Sequence, residues 1–418
     1  MTHINKVDPQ IAKLISQEKR RQKKGLVLIP SENFVSSAVL EAIGSICTNK
    51  YAEGYPGKRY YSGNKYIDKI EIIAQERAKK IFHAQHANVQ PYSGSPANLA
   101  VYLALAQPGD TIMGMSLAQG GHLTHGHKVN ISGKLFNFIQ YGVDKKTHLI
   151  NYEEIEKLAK KHRPKIIVSG ATAYSRIIKF KKIHQIAHKI GAISMADISH
   201  IAGLIVAKCH PSPLPFTDVV TTTTHKTLRG PRGAIIMSKK EYASAIDKMV
   251  FPGLQGGPHE NNIAGIAVAL KEASNKSFRK YGEQIIKNSK ALAQSLKEQE
   301  LNLVSGGTDN HLVLIDLTEN KITGKQAEKV LEETRIYVNK NTIPYDTRSP
   351  FNPSGIRLGT PALTTQGFKE KEMRIIGKLI AQTIHNIDKP KILKQIKRKV
   401  KELIISHDIR RQKNSRKN

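Results

Sequence analysis

Cysteine and tryptophan are scarce in this sequence of 418 residues, which contains 2 Cys and no Trp. Two cysteines, Cys47 and Cys209, exclude a disulfide framework and a four-cysteine zinc site, and they suit a reducing cytosol. No apolar run approaches the about 18–20 residues of a membrane-spanning helix. The N-terminal residues lack an apolar core followed by a small-residue cleavage site. We therefore predict no secretory signal, no membrane partner and a cytoplasmic location.

Acidic residues are also few, with 34 Asp+Glu against 66 Lys+Arg and a net charge of +32. Such an excess can be the footprint of a nucleic-acid-binding protein, which usually clusters its charge. Here the Lys and Arg residues are spread along the chain, with a local excess over 388–418. We therefore favour a compositional bias and expect no nucleic-acid partner.

The basic segment 391–405 leaves a secondary nucleic-acid role open, because Leu393, Ile396, Val400 and Leu403 form one apolar face with lysines opposite. The alternative that we prefer is a terminal helix that packs this apolar face on the protein.

The order of apolar segments predicts the fold class. Apolar residues make up 39% of the chain, which is enough for a sizeable core. Short apolar segments at 165–170, 192–197, 218–224 and 233–238 are typical of buried strands, and helical spacing recurs at 66–82 and 182–190. We predict an α/β fold with a mostly parallel central sheet in a large domain, followed by a smaller C-terminal α+β domain. The expected divisions are an N-terminal arm and helix over 1–50, the large domain over 51–280, and the small domain over 281–418 with a basic terminal helix and tail.

Polar residues directly after these strands are candidate site residues, since ligands of open α/β sheets bind at the carboxyl ends of strands. Ser93, Gly94 and Ser95 open a helix, where backbone N–H groups can bind a phosphate; an ordinary N-cap by Ser95 is the alternative. Asp197 ends a strand and can hold a protonated ring nitrogen, with His200 close by; the alternative is that it caps the next segment.

Lys226 follows a threonine-rich strand beside His225, and a lysine in a site of low polarity can form a Schiff base. A solvated surface lysine is the alternative. His122 lies in the glycine-rich segment 120–127 and can stack on an aromatic ligand. No carboxylate or cysteine completes a metal site with the histidines of that segment, so we predict no metal. Together, a phosphate-binding turn, an aspartate and a lysine at strand ends are typical of a pyridoxal-phosphate site.

Seven segments, in order along nearly the whole chain, resemble serine hydroxymethyltransferase: 49–64, 93–98, 120–126, 219–233, 250–258, 304–312 and 354–368. The resemblance implies the aminotransferase-like fold type I and a homodimer that shares its active sites between subunits. It also implies the reversible conversion of serine and tetrahydrofolate into glycine, 5,10-methylenetetrahydrofolate and water. Pyridoxal 5'-phosphate would be covalently bound at Lys226, and the reaction would pass through an aldimine and a quinonoid.

The resemblance also implies roles for individual residues. The catalytic set is Lys226, Glu53, His225, Tyr61 and Thr223. The cofactor-binding set is Ser93, Gly94, Ser95, His122, Ser175, Asp197, His200, Tyr51, Gly256 and Gly257, the two glycines reaching in from the neighbouring subunit. Ser31 and Arg357 would bind the substrate carboxylate, and Leu117, Leu123 and Asn341 the folate.

Three departures from the family pattern lie near the expected cofactor: Pro96, Gln119 and the pair Ile198-Ser199. None removes a group with an assigned chemical role, so they bear on rates and not on the class of reaction. A threonine aldolase or a glycine acyltransferase would use the same cofactor geometry, and both remain alternatives at this point.

Overall fold

The computed structural model describes residues 2–415, and the side chains of residues 3–408. Its helices are α1 Thr2–Val7, α2 Pro9–Lys23, α3 Ser37–Ile43, α4 Lys65–Phe82, α5 Gly94–Leu105, α6 Ile131–Leu135, α7 Tyr152–His162, α8 Phe180–Lys189, α9 Ala202–Val206, α10 Lys240–Lys248, α11 Glu260–Ala273, α12 Lys276–Lys297, α13 Gly324–Glu333, α14 Pro361–Gln366, α15 Glu370–His385 and α16 Pro390–Ser415.

The strands are β1 Leu26–Val27, β2 Gly54–Tyr55, β3 Lys58–Arg59, β4 His86–Asn88, β5 Thr111–Met115, β6 Asn137–Tyr141, β7 Ile166–Ser169, β8 Ile193–Asp197, β9 Val219–Thr223, β10 Ala234–Ser238, β11 Asn302–Leu303, β12 Leu312–Asp316, β13 Ile336–Tyr337, β14 Asn339–Asn341 and β15 Gly355–Gly359.

A sheet of 7 strands in the order β4-β10-β9-β8-β7-β5-β6 forms the centre of the fold. Strands β5 to β9 pair in parallel, whereas β10 runs antiparallel to both of its neighbours. Strands β7, β9 and β10 are buried along their whole length, and β8 is buried from Ser194 to Asp197, which explains why they appear in the sequence as continuous apolar or β-branched runs. The predicted α/β class with a mostly parallel central sheet is confirmed.

The strand predicted just before the turn at Ser93 lies earlier than expected. Strand β4 ends at Asn88, and the side chain of Asn88 accepts the backbone N–H of Gln90 at 3.0 Å. Pro91 has no N–H to donate to a ladder, so the chain leaves the sheet before the turn.

A second sheet, antiparallel in the order β11-β12-β15-β14, lies in the C-terminal part of the chain. Its hydrophobic core is separate from those of the central sheet, and it includes Leu26 and Leu28 from the N-terminal region. The short segment 336–341 takes part in two sheets, because β13 pairs with β1 whereas β14 pairs with β15.

The terminal helix α16 packs as expected. Ile396, Val400 and Leu403 are buried in the C-terminal core, which confirms the packing alternative for the apolar face of 391–405. The predicted basic tail, from residue 409 onward, lies outside the residues whose side chains are described. Within the described chain, no helix combines the length and the apolar character needed to cross a membrane.

Replacing Ile396 with alanine tests this packing. Ile396 is 1% exposed, so the change leaves a cavity and should lower the free energy of unfolding by about 2–5 kcal/mol. Lys399→Ala, on the exposed face of the same helix, should change it by no more than about 0.5 kcal/mol. Urea unfolding of the two variants measures both. Equal effects would show that the apolar face is not packed.

Candidate active site

A cavity of about 340 Å³ opens at the carboxyl ends of the parallel strands. It receives Asp197 from the end of β8, Thr223 from the end of β9, and Arg357 from β15 of the second sheet. Its lining consists of Ser31, Ser93, Gly94, Ser95, His122, His125, Ala171, Thr172, Asp197, Ser199, His200, Thr223, His225, Lys226, Arg232 and Arg357. The chain thus brings together eleven of the predicted site residues at the edge where the strand pattern placed them.

Helix α5 begins at this cavity with residues 93–95. Ser93 is the N-cap residue, and its side chain makes no capping hydrogen bond. The alternative of an ordinary N-cap by Ser95 is therefore wrong. A Cβ atom on Gly94 would lie 2.8 Å from Cγ2 of Thr223, so glycine allows the helix start to approach the threonine strand closely. The uncapped N-terminus leaves backbone donors available to an anion.

Asp197 is only 8% exposed, and three donors surround its carboxylate. Oδ1 accepts the backbone N–H of Ser199 at 3.0 Å, as the capping alternative expected. Oδ2 lies 2.9 Å from Nδ2 of Asn98 and 3.3 Å from Nε2 of His125. Burial alone would raise the pKa of Asp197, but the hydrogen bonds from His125 and Ser199 outweigh it and hold the pKa well below its usual range. The carboxylate is therefore ionised.

Lys226 donates from Nζ to Oγ1 of Thr223 at 3.0 Å. Burial lowers the pKa of Lys226 to about 8; Asp197 opposes this shift, whereas Arg357 and Arg232 act in the same direction as burial. An amine with such a pKa is available in its unprotonated, nucleophilic form near neutral pH.

Three histidines of the cavity are kept neutral by burial. Burial lowers the pKa of His122 to about 4 and that of His225 to about 3, and it holds the pKa of His200 well below its usual value. Nδ1 of His200 lies 3.2 Å from Nε2 of His311, a buried histidine behind the cavity. Nε2 of His225 accepts a hydrogen bond from Arg232 at 2.8 Å. These rings offer flat surfaces and hydrogen bonds without adding positive charge.

Arg357 is the buried cation of the site, at 7% exposure. Nη1 donates to the carbonyl of Thr172 at 2.6 Å, and Nε donates to Oδ1 of Asn339 at 3.2 Å. In the described part of the chain no carboxylate forms an ion pair with it, and burial lowers its pKa to about 10. A buried guanidinium without a counter-ion at a cavity wall is suited to an anionic ligand.

Five predicted residues form a second cluster that does not line this cavity. Tyr51 donates to Oε1 of Glu53 at 3.2 Å, and the rings of Tyr51 and Tyr61 meet edge to face at 5.1 Å. Gly256 and Gly257 lie against Tyr51. The two tyrosines are 54% and 47% exposed, so this cluster faces outward.

The remaining predicted residues also lie away from the cavity lining. Ser175 is buried, and its hydroxyl donates to the carbonyl of Gly307 at 2.8 Å. Leu117 is half-buried, Leu123 is 41% exposed, and Asn341 donates to the carbonyl of Thr342 at 2.7 Å.

The three departures from the family pattern have structural places. Pro96 is the third residue of α5. Gln119 accepts the backbone N–H of Val143 at 2.8 Å. Ile198 is fully buried, whereas the hydroxyl of Ser199 accepts the backbone N–H of Thr223 at 3.0 Å and so ties the two central strands together at the site.

Asn98, His125 and Thr172 are site residues that the sequence did not reveal. His125 comes three residues after His122, and Asn98 ends the segment SGSPAN, so both were within recognised motifs. Their contact with Asp197 depends on tertiary packing, which neither motif displays.

The donor set of this cavity fits pyridoxal phosphate. It offers an amine for the aldehyde, an ionised carboxylate for the ring nitrogen and an uncapped helix N-terminus for the phosphate. With a mostly parallel sheet that places them at strand ends, these groups define a fold-type I pyridoxal-phosphate enzyme.

Comparison with known proteins identifies the kind of enzyme. The family model described as serine hydroxymethyltransferase matches residues 4–380. A serine hydroxymethyltransferase of Desulfotalea psychrophila is 57% identical over 403 residues, covering 96% of this chain and 95% of the relative. One of Koribacter versatilis is 56% identical over 400 residues, covering 96% and 94%.

This chain belongs to the serine hydroxymethyltransferase family. It is a pyridoxal-phosphate enzyme that interconverts serine and tetrahydrofolate with glycine, 5,10-methylenetetrahydrofolate and water. The family match selects this reaction over the threonine aldolase and glycine acyltransferase alternatives.

Beside the exposed cluster, Glu260 lies in a buried group of charges. Both of its carboxylate oxygens are buried without a hydrogen-bond partner, and the guanidinium of Arg59 is 3.9 Å away and bound to Glu71. Burial, together with the charge of Glu71, raises the pKa of Glu260 to about 8, although Arg59 opposes the shift. The folded protein therefore holds a proton there that the unfolded chain releases above its ordinary pKa of 4.5.

Glu260→Gln should consequently change how stability depends on pH. In the native protein, the contribution of Glu260 falls as the pH rises from about 4.5 to about 8, because the unfolded state binds fewer protons there. The free energy of unfolding of the variant should fall less over this pH window than that of the native protein. At pH 8 the variant should be the more stable of the two. Glu76→Gln, at an exposed position, is the control. Unfolding midpoints of the three proteins across the window measure this, and parallel curves would contradict it.

Proposed function

We propose that Arg357, with Ser31, binds the carboxylate of serine or glycine within the established reaction. The observation that carries this proposal is the buried guanidinium of Arg357 at the cavity wall, which has no counter-ion among the described residues. A substrate carboxylate would supply that charge and accept two parallel hydrogen bonds. Ser31 lines the same cavity and offers a hydroxyl donor.

The cofactor-binding set is proposed from the same cavity. Lys226 offers the amine that attaches the cofactor, Asp197 accepts a hydrogen bond from the ring nitrogen, and residues 93–95 donate backbone N–H groups to the phosphate. When bound, pyridoxal phosphate supplies an electron sink for the electron pair left on the substrate Cα. His122 would stack on the ring and His200 would contact its hydroxyl side, both as neutral imidazoles.

Thr223 and His225 flank the lysine and set its position. The hydroxyl of Thr223 accepts the hydrogen bond from Nζ of Lys226, so it holds the amine at the end of strand β9. Since Arg232 donates to Nε2 of His225, the proton of this neutral ring lies on Nδ1. Nδ1 is buried without a protein partner, and it can donate to a ligand.

The exposed cluster of Tyr51, Glu53, Tyr61, Gly256 and Gly257 is proposed to complete the cavity of a second copy of the chain. Each protomer of this homodimer would lend its Glu53 to handle the proton at the hydroxymethyl group and folate. Tyr51, Gly256 and Gly257 would lie near the phosphate and Tyr61 near the substrate. Two features support this assignment: the cluster lies apart from the cavity of its own chain, and its tyrosines are exposed.

Four further expectations are retained as proposals. Leu117, Leu123 and Asn341 contact folate, and Ser175 belongs to the cofactor site. The chain divides at residues 50 and 280 into an arm, a large domain and a small domain. The separate C-terminal core supports that division, although α12 crosses the second boundary. The unpaired Cys47 and Cys209 support a cytoplasmic location.

Lys226→Ala tests the cofactor site. Borohydride reduction of the native holoenzyme should leave the mass of the reduced cofactor on the peptide that contains Lys226, detected by mass spectrometry. The variant should show no such adduct on any peptide and lose turnover by at least about 10³-fold. Lys240→Ala, at an exposed position, should behave as the native enzyme. An adduct on another lysine of the native enzyme would refute the assignment.

Mixed dimers test the shared site. In a heterodimer of Lys226→Ala and Glu53→Gln chains, one site carries both changes, whereas the other combines a native Lys226 with a native Glu53. About half of the native activity should therefore return when the two inactive variants are combined. One of the two sites then contains both native groups, and these groups act together on the transition state. The two chains carry different tags, so that the heterodimer can be purified and its activity measured. An inactive heterodimer would show that each chain supplies its own Glu53.

A further inference from the structure

Three potential metal ligands, His184, His188 and Asp218, meet at the amino ends of strands β8 and β9, at the edge opposite the active-site cavity. One ligand atom from each lies within 4.8 Å of the others, which among the described residues is the single group of this kind. Asp218 is buried, His184 half-buried and His188 exposed, so an ion could enter from solvent.

The two histidines are one turn apart on helix α8, so both rings project from the same side of the helix. Their ring centroids are 4.0 Å apart, and Nε2 of His188 lies 2.9 Å from Oδ2 of Asp218. Tetrahedral ligands about 2.0–2.1 Å from a Zn²⁺ ion are themselves about 3.3 Å apart. Only small side-chain movements are therefore needed to place an ion between the three groups.

Ser194 orients two of the ligands. Its hydroxyl donates to Oδ2 of Asp218 at 2.8 Å, and its backbone N–H donates to the same oxygen at 2.8 Å. Because the single hydroxyl proton is used there, Nδ1 of His184, 2.9 Å from that hydroxyl, must be the donor of their hydrogen bond. Nε2 of His184 then carries a lone pair. A metal-binding histidine typically has this arrangement, with its second nitrogen donating to a neighbouring oxygen.

We propose that His184, His188 and Asp218 bind one divalent transition-metal ion of the Zn²⁺ type, with water completing the tetrahedron. Lys239 donates to Oδ1 of the same carboxylate and competes with the ion for its charge. An ion at this site would join α8 to the amino end of β9 and stabilise the fold, without touching the catalytic cavity. The sequence did not predict this site because Asp218 is distant in sequence from the histidine pair.

Calorimetric titration of the holoenzyme with Zn²⁺, after dialysis against a chelator, tests the site. One ion per chain should bind to the native protein, and the double variant His184→Gln/His188→Gln should bind it at least about tenfold more weakly. His385→Gln, at the exposed end of α15, is the matched control and should bind as the native protein does. Mg²⁺ should give no binding, since it prefers oxygen ligands. Equal Zn²⁺ affinity in the double variant and the native protein, or no binding to either, would overturn the proposal.

A change at Lys239 tests the role of Asp218 while the carboxylate of Asp218 stays in place. Lys239→Gln removes the competing ammonium while Ser194 still holds the carboxylate, so Zn²⁺ should bind more tightly and kcat should stay unchanged. Unchanged or weaker affinity would place the ion away from Asp218 and would overturn the three-residue site.

Discussion

The rest of the active site depends on the hydrogen bonds that hold the carboxylate of Asp197 in its ionised form. An unpaired carboxylate in this buried position would be costly, and hydrogen bonds offset that cost. Asn98 supplies one from helix α5, His125 another from the glycine-rich loop, and Ser199 a third from the next segment. These donors fix the first turns of α5, the histidine loop and the end of β8 relative to one another.

A buried cation balances this carboxylate from the other sheet. Arg357 reaches from β15 to the carbonyl of Thr172, in the loop after β7, and so links the C-terminal sheet to the central one at the cavity. Asp197 gives the cavity a negative charge, and Arg357 gives it a buried positive charge. That arrangement accommodates a cationic ring nitrogen and an anionic carboxylate in the same enclosed space. The large net charge of the chain is not needed to explain it.

The central sheet and the chemical core of the site could be predicted because both follow from local signals. Asp197 ends an apolar segment and Lys226 follows a threonine-rich one, and parallel strands bring such residues to one edge. Strand β6 was missed because only its last residue is fully buried, so no clear apolar pattern marks it, and strand β5 was missed as well. Asn98, Thr172 and the group around His184 were missed because their contacts join distant segments, and one sequence shows no such proximity. Tyr51 and Glu53 were recognised through the family resemblance alone, and they do not line the cavity of their own chain.

The most direct test of this account is the protonation state of the cofactor's ring nitrogen, read by ¹⁵N magnetic resonance with labelled pyridoxal phosphate. In the native holoenzyme at neutral pH, the ionised Asp197 should keep this nitrogen protonated. Asp197→Asn should shift its resonance to that of a neutral pyridine, whereas Asp144→Asn, at a surface turn, should leave it unchanged. A neutral ring nitrogen in the native enzyme would contradict the account.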